Sequence, residues 1–157
     1  MRNLNNMKQT HVLGLSEWAV SNSPGEIICF GLGSCVGVFL YDKFKRIGAG
    51  AHIMTPSDKC GGFNIITAMI SEMLLLGSQP LTIRARLVGG ANIFSMESYC
   101  IGKRNVDSVK KDLKKMRILI ESEDLGGNES RTARLNISTG ELIVSTPQQK
   151  FHNHINN

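Results

Sequence analysis

The covalent chemistry open to this sequence rests on four cysteines and four histidines. A thiolate is a strong nucleophile, but a free thiol ionises only near pH ~8.5, so it needs a base beside it. Cys35 is the cysteine best placed for that work. It follows Gly31-Leu32-Gly33-Ser34 and precedes the apolar run Val36–Tyr41. Glycines permit a tight bend and a close approach of ligand to backbone. A thiol on such a bend is presented while its backbone is held. The N–H groups around it, at Gly33, Ser34 and Val36, then suit the oxyanion of a tetrahedral intermediate. A second reading stays open: a cysteine before an apolar run is also a small buried hydrophobe.

The histidines narrow the choice of base. His152 and His154 lie in a polar tail, and His11 lies near the N-terminus. His52 alone is embedded in a strand-like segment, Gly48-Ala49-Gly50-Ala51-His52-Ile53-Met54, seventeen residues after Cys35. A hairpin of that length brings its two ends together, so Cys35 and His52 can meet at one sheet edge. The competing reading is a core histidine bonded to a backbone carbonyl. Gly89-Gly90-Ala91 and Gly126-Gly127-Asn128 read as turns, because neither matches a phosphate-loop spacing. No CxxC is present and the histidines are scattered, so neither a metal nor a cofactor is expected.

The elements that must position these residues follow from residue type and punctuation. Strands are expected at His11–Leu15, Glu26–Phe30, Val36–Tyr41, Arg46–Met54, Thr82–Val88 and Ile118–Ile120. A terminal hairpin is expected from Arg131–Ile137 and Glu141–Ser145, around a Ser-Thr-Gly turn. Phe63–Leu76 reads as a helix, capped by Gly77 and stopped by Pro80. A second, amphipathic helix is expected after an Asn105 N-cap, with Val106, Val109, Leu113 and Met116 on its apolar stripe. The fold class is α/β (α+β): a single-domain layered sandwich of mixed, largely antiparallel sheets with flanking helices.

The chain has 157 residues, 41% apolar and 20% charged, which is enough to build one core and excludes wholesale disorder. Its net charge is +5. The excess sits in residues 103–117, which hold seven basic and two acidic side chains; elsewhere the signs balance. Few aromatics interleave with these lysines, so a solvated face or a dock for an acidic protein fits better than a nucleic-acid surface. The longest apolar stretch, Ile65–Leu76, is too short to span a bilayer, which takes about 20 residues. No secretory signal is evident, so the expected location is cytoplasmic, with reduced thiols.

Several motifs together resemble the CheD family of chemoreceptor glutamine deamidases. These are Gly31-Leu32-Gly33-Ser34-Cys35-Val36, Ala51-His52-Ile53-Met54 and Gly89-Gly90-Ala91-Asn92-Ile93-Phe94. They continue with Ile101-Gly102-Lys103-Arg104-Asn105, Glu123-Asp124-Leu125-Gly126-Gly127-Asn128 with Arg131, and the hairpin from Leu135 to Leu142. The resemblance covers 11–145 as one domain, leaving 1–10 and 146–157 as flexible tails.

The resemblance implies a CheD-like fold and a cytoplasmic chemotaxis hydrolase. The enzyme would be a protein-glutamine glutaminase, converting particular glutamines of methyl-accepting receptors to glutamate plus ammonia through a cysteine thioester. It maps the family's nucleophile onto Cys35 and its histidine onto His52. It also implies a CheC-type phosphatase as partner, with neither nucleic-acid binding nor membrane insertion. Two positions depart from the family pattern. Its catalytic Thr, six residues before the nucleophile, is here Cys29, a weaker hydrogen-bonding group. A Lys/Arg-Tyr-x-Asp pattern at the first helix is replaced by Gly62-Phe63-Asn64-Ile65. The Cys29 departure leaves an alternative: a weakly active or inactive module that regulates a CheC-like phosphatase.

Overall fold

The computed structural model describes residues 7–54, 62–93 and 100–148 of the chain. Among the described residues, nine strands form two sheets. Strands β1 (Gln9–Val12), β3 (Gly25–Leu32), β8 (Arg131–Asn136) and β9 (Leu142–Ser145) form one, in the order β1-β3-β8-β9. The other holds β2 (Trp18–Ser21), β5 (Ile47–Ile53), β4 (Val36–Asp42), β6 (Ile83–Gly89) and β7 (Leu119–Leu125), in that spatial order. Helices α1 (Gly62–Leu75) and α2 (Ile101–Lys115) cover the outer face of the five-stranded sheet. The layering is therefore sheet, sheet, helices. Pairing is antiparallel except for β1 with β3 and β6 with β7, as expected of a mixed, largely antiparallel fold.

Strand alternation divides each central strand between two cores. On β4, Val36, Val38 and Leu40 face the helices, where they meet Met69 and Met73 of α1 and Val109 and Leu113 of α2. Phe39 and Tyr41 face the other sheet and meet Ile27, Leu32 and Leu135. On β5, Ile47, Ala49, Ala51 and Ile53 face the helices. Its other face carries Gly48, Gly50 and His52. A β-carbon at Gly50 would stand 2.6 Å from Ile27 Cγ2, and one at Gly48 would stand 3.2 Å from Leu135 Cδ2. The two glycines thus leave room for side chains of the opposite sheet.

Four local expectations need revision. β1 starts at Gln9, inside the segment read as a tail, because it pairs in parallel with β3. β2 had no sequence signal; this four-residue edge strand is held by its ladder to β5. β7 runs to Leu125, although Glu121, Glu123 and Asp124 disguise it. These charges suit an edge strand, which is mostly exposed. Asn105 is not an N-cap: α2 begins a turn earlier at Ile101, and the Asn105 side chain is buried and bonded elsewhere. Gly77 does close α1, with φ +111°, and its flanking Ser78 N–H reaches the Met73 carbonyl at 3.0 Å.

Replacing Gly50 with Val should overfill the gap between the sheets and cost about 1–3 kcal/mol. For a chain of this size each kcal/mol lowers the melting midpoint by about 2–4 °C. Thermal unfolding followed by circular dichroism measures it, and an unchanged midpoint would mean the sheets separate freely.

Candidate active site

His52 is placed by the strand pairing. It lies directly opposite Gly37 in the antiparallel ladder of β4 and β5. Cys35 comes two residues before Gly37, on the same side by alternation, and packs against the inter-sheet cluster. Cys35 itself lies just outside the ladder, on the bend that leads into Val36. Gly37 cedes its side-chain space to the inter-sheet core: a β-carbon there would stand 2.9 Å from Leu32 Cδ1 and 3.0 Å from Phe39 Cε2. The structure therefore brings the two sequence-predicted residues to one end of one sheet face. Cys35 is half-buried and His52 is buried.

The β1–β2 connection wraps His52. Its Nδ1 lies 3.3 Å from the Leu13 carbonyl oxygen. Its backbone N–H donates to Glu17 O at 3.1 Å, and its carbonyl accepts from Ser16 N–H at 2.8 Å. A carbonyl only accepts, so the neutral ring carries its proton on Nδ1 and leaves Nε2 with a free lone pair. That is the tautomer a general base needs. The carbonyl partner that counted toward a merely structural histidine is thus also compatible with catalysis.

Cys29 reaches the same region from the opposite sheet. It is fully buried on β3, and its Sγ lies 4.0 Å from the Ala51 carbonyl oxygen, next in chain to His52. Burial, with a smaller contribution from the neighbouring Cys35, pushes the Cys29 thiol up to about 12. Burial also raises the Cys35 thiol, while its own backbone N–H pulls in the opposite direction. Both sulfurs are free thiols, and each rests protonated at neutral pH.

The Cys35 bend is backed by the Gly89–Ala91 turn. Gly90 N–H donates to Cys35 O and Ala91 N–H to Gly33 O, each at 2.8 Å. A β-carbon at Gly89 would fall 2.3 Å from Cys35 O, so only glycine lets these backbones meet. The second glycine turn props the first: Gly126 N–H donates to Gly89 O and Asn92 N–H to Gly127 O. Arg131 holds that turn in place, donating to Gly126 O at 2.8 Å and to Asp124 at 3.0 Å. Both diglycines were expected as turns; they stand at strand ends in positive-φ backbone, Gly89 closing β6 and Gly126 following β7, and the first directly supports the Cys35 loop.

Two contributors were missed from sequence. The Leu13 carbonyl is backbone, so no residue type announces it. Asn105 was read as a cap, yet its Nδ2 donates to Ser34 O at 2.8 Å. Helix α2 therefore carries the charge excess and also touches the Cys35 loop. Its lysines remain largely at the surface, with Lys110 paired to Glu123 at 2.7 Å. The side chains of Gly62-Phe63-Asn64, Cys60 and the two tail histidines lie outside the described residues. No group of three or more metal-ligating side chains occurs among the described residues. No helix among them is long and apolar enough to cross a membrane.

Comparison with known proteins bears on the family of the chain. The CheD family model, described as CheD chemotactic sensory transduction, matches residues 57–146. The chemoreceptor glutamine deamidase CheD of Thermotoga maritima is 39% identical over 140 residues, covering 85% of this chain and 89% of its own. A probable chemoreceptor glutamine deamidase CheD of Thermococcus kodakarensis is 38% identical, covering 83% of this chain and 88% of its own. The Halalkalibacterium halodurans chemoreceptor glutamine deamidase CheD is 36% identical, covering 87% and 93%. The family model spans more than half of the chain, and these relatives match more than four-fifths of it; the chain belongs to the CheD family.

Proposed function

We propose that this chain is a cysteine-dependent deamidase of glutamines on methyl-accepting chemoreceptors, acting in the cytoplasm. The observation that carries the reading is the pairing of β4 with β5, which sets His52 opposite Gly37 and diagonal to Cys35. The names of the relatives supply the substrate class.

The reaction starts from a neutral pair. His52 Nε2 takes the Cys35 thiol proton, and the sulfur attacks the glutamine side-chain carbonyl carbon. The carbonyl oxygen becomes an oxyanion, held by backbone N–H groups of the Gly33–Val36 bend. The intermediate collapses, the carbon–nitrogen bond breaks, and protonated His52 gives its proton to the departing ammonia. A thioester remains. Neutral His52 then draws a proton from water, whose oxygen attacks the thioester. The glutamate carboxyl leaves, and Cys35 recovers its proton.

Orientation of His52 falls to the Leu13 carbonyl rather than to Cys29. A thiol held near 12 stays protonated through the working range and is a weak hydrogen-bonding group. Cys29 thus serves as packing at the position of the family Thr. The lysines of α2 offer a face that steers acidic partners, whether receptor or CheC-type phosphatase.

Incubation with a receptor fragment should raise the mass of each target glutamine by about one dalton, as amide nitrogen is exchanged for water oxygen. Cys35→Ala should abolish the gain. No gain with the wild-type chain, beside retained binding of a CheC-type phosphatase, would make it a regulatory module. Cys29→Ala should keep turnover within about threefold, since each tenfold needs about 1.4 kcal/mol and a thiol bond supplies less. Brief iodoacetamide treatment at pH 8 should label exposed Cys100 and spare Cys29 until denaturant is added, which peptide mass mapping reads.

A further inference from the structure

We infer that Asn105 is a positioning residue for the reaction: by holding the Ser34 carbonyl it aims the Cys35 N–H at the thiol and at the oxyanion. The inference rests on the reading of Cys35 as nucleophile and adds a residue outside the Cys35–His52 pair.

The reasoning begins with the peptide plane. In a trans peptide, the C=O of one residue and the N–H of the next point in opposite directions, and the plane is stiff. Anchoring the carbonyl therefore aims the amide. Three successive carbonyls are anchored here. Gly33 O accepts from Ala91 N–H, Ser34 O from Asn105 Nδ2 and Cys35 O from Gly90 N–H, each at 2.8 Å. The amides sharing the first two planes, Ser34 N–H and Cys35 N–H, must face away from those anchors. Neither is recorded donating to a backbone carbonyl among the described residues. The Cys35 N–H also favours its own thiolate, against the larger opposing effect of burial. Two anchors are backbone groups of the glycine turn. Asn105 supplies the side-chain anchor, so substitution can remove it cleanly.

The surroundings of Asn105 argue against a purely structural role. The residue is 1% exposed, and its Oδ1 is buried without a hydrogen-bond partner among the described residues. A buried polar group left unpaired costs stability, and an apolar side chain on this face of α2 would avoid the cost. What Asn105 provides in return is one directed N–H on the carbonyl preceding the nucleophile. The helix is brought close enough for this by Gly102, where a β-carbon would fall 2.5 Å from Ala91 O and Gly90 O.

Asn105→Leu keeps the size and removes the donor together with the orphan oxygen; Asn105→Ala is the second variant. Both should fold, as judged by circular dichroism. With a receptor fragment as substrate, kcat should fall about 30- to 100-fold, somewhat less than the 10²–10³ for deleting an oxyanion donor outright. KM should stay within about twofold, since the substrate's ground-state contacts are untouched. The pH midpoint for alkylation of Cys35, followed on its own peptide by mass spectrometry, should move upward in both variants. A kcat within threefold of wild type, or an unmoved alkylation midpoint beside a general loss of stability, overturns the role of Asn105. Activity surviving in Cys35→Ala overturns the nucleophile itself, a result distinct from either.

Discussion

The close approach of the two sheets at β5 is the constraint on which the rest depends. Packed sheets are ordinarily held about 10 Å apart by side chains from both faces. Here β5 contributes Gly48 and Gly50 to the gap, and side chains from β3, β8 and β4 fill the space they leave. His52 is the one bulky group on that face of the strand, and it stands near the strand's C-terminal end. Leu13 joins the inter-sheet cluster as a side chain and offers its carbonyl to the imidazole as backbone. Packing and orientation of the histidine are thus one arrangement.

The cysteine is held differently. Cys35 stands on a bend with no ladder partners of its own, and its rigidity is borrowed. The glycine turn after β6 holds two carbonyls of the bend, and α2 holds the one between them. That turn is itself propped by Gly126, Gly127 and Arg131 beyond β7. The order of support runs from Arg131, at the start of the last hairpin, back to the Cys35 loop. Residues that look like loop punctuation are therefore part of the site's frame. The same α2 that buttresses the bend displays the chain's charge excess, so a partner docking on the lysines would press on the element that holds Cys35.

Much of this was legible in the residues. The Gly-x-Gly-Ser-Cys run, the hairpin distance to His52 and the exclusion of the other histidines made the two a candidate pair, beside the readings of a buried thiol and a core histidine; the CheD resemblance mapped roles onto them. Residue type, length and punctuation located α1 and most strands, and apolar periodicity located α2. What escaped reading had a common cause. β2 is too short to carry a pattern and exists through its backbone ladder to β5. β7 is an edge strand whose acidic residues mask its pairing. Asn105 has the residue type of a cap and sits near a helix start, so local rules assigned it there; a distant carbonyl claimed its amide instead.

Residue order alone was enough for the layered class, the nomination of Cys35 and His52 as a candidate pair and the location of the charge, because each depends on local pattern or on neighbours within a hairpin. It was not enough for the tautomer of His52, the direction of the Cys35 amide or the second duty of α2. Those depend on backbone carbonyls and amides that every residue carries alike. Which of them meet is decided by how the sheets and helices pack, at distances along the chain where residue type leaves no trace.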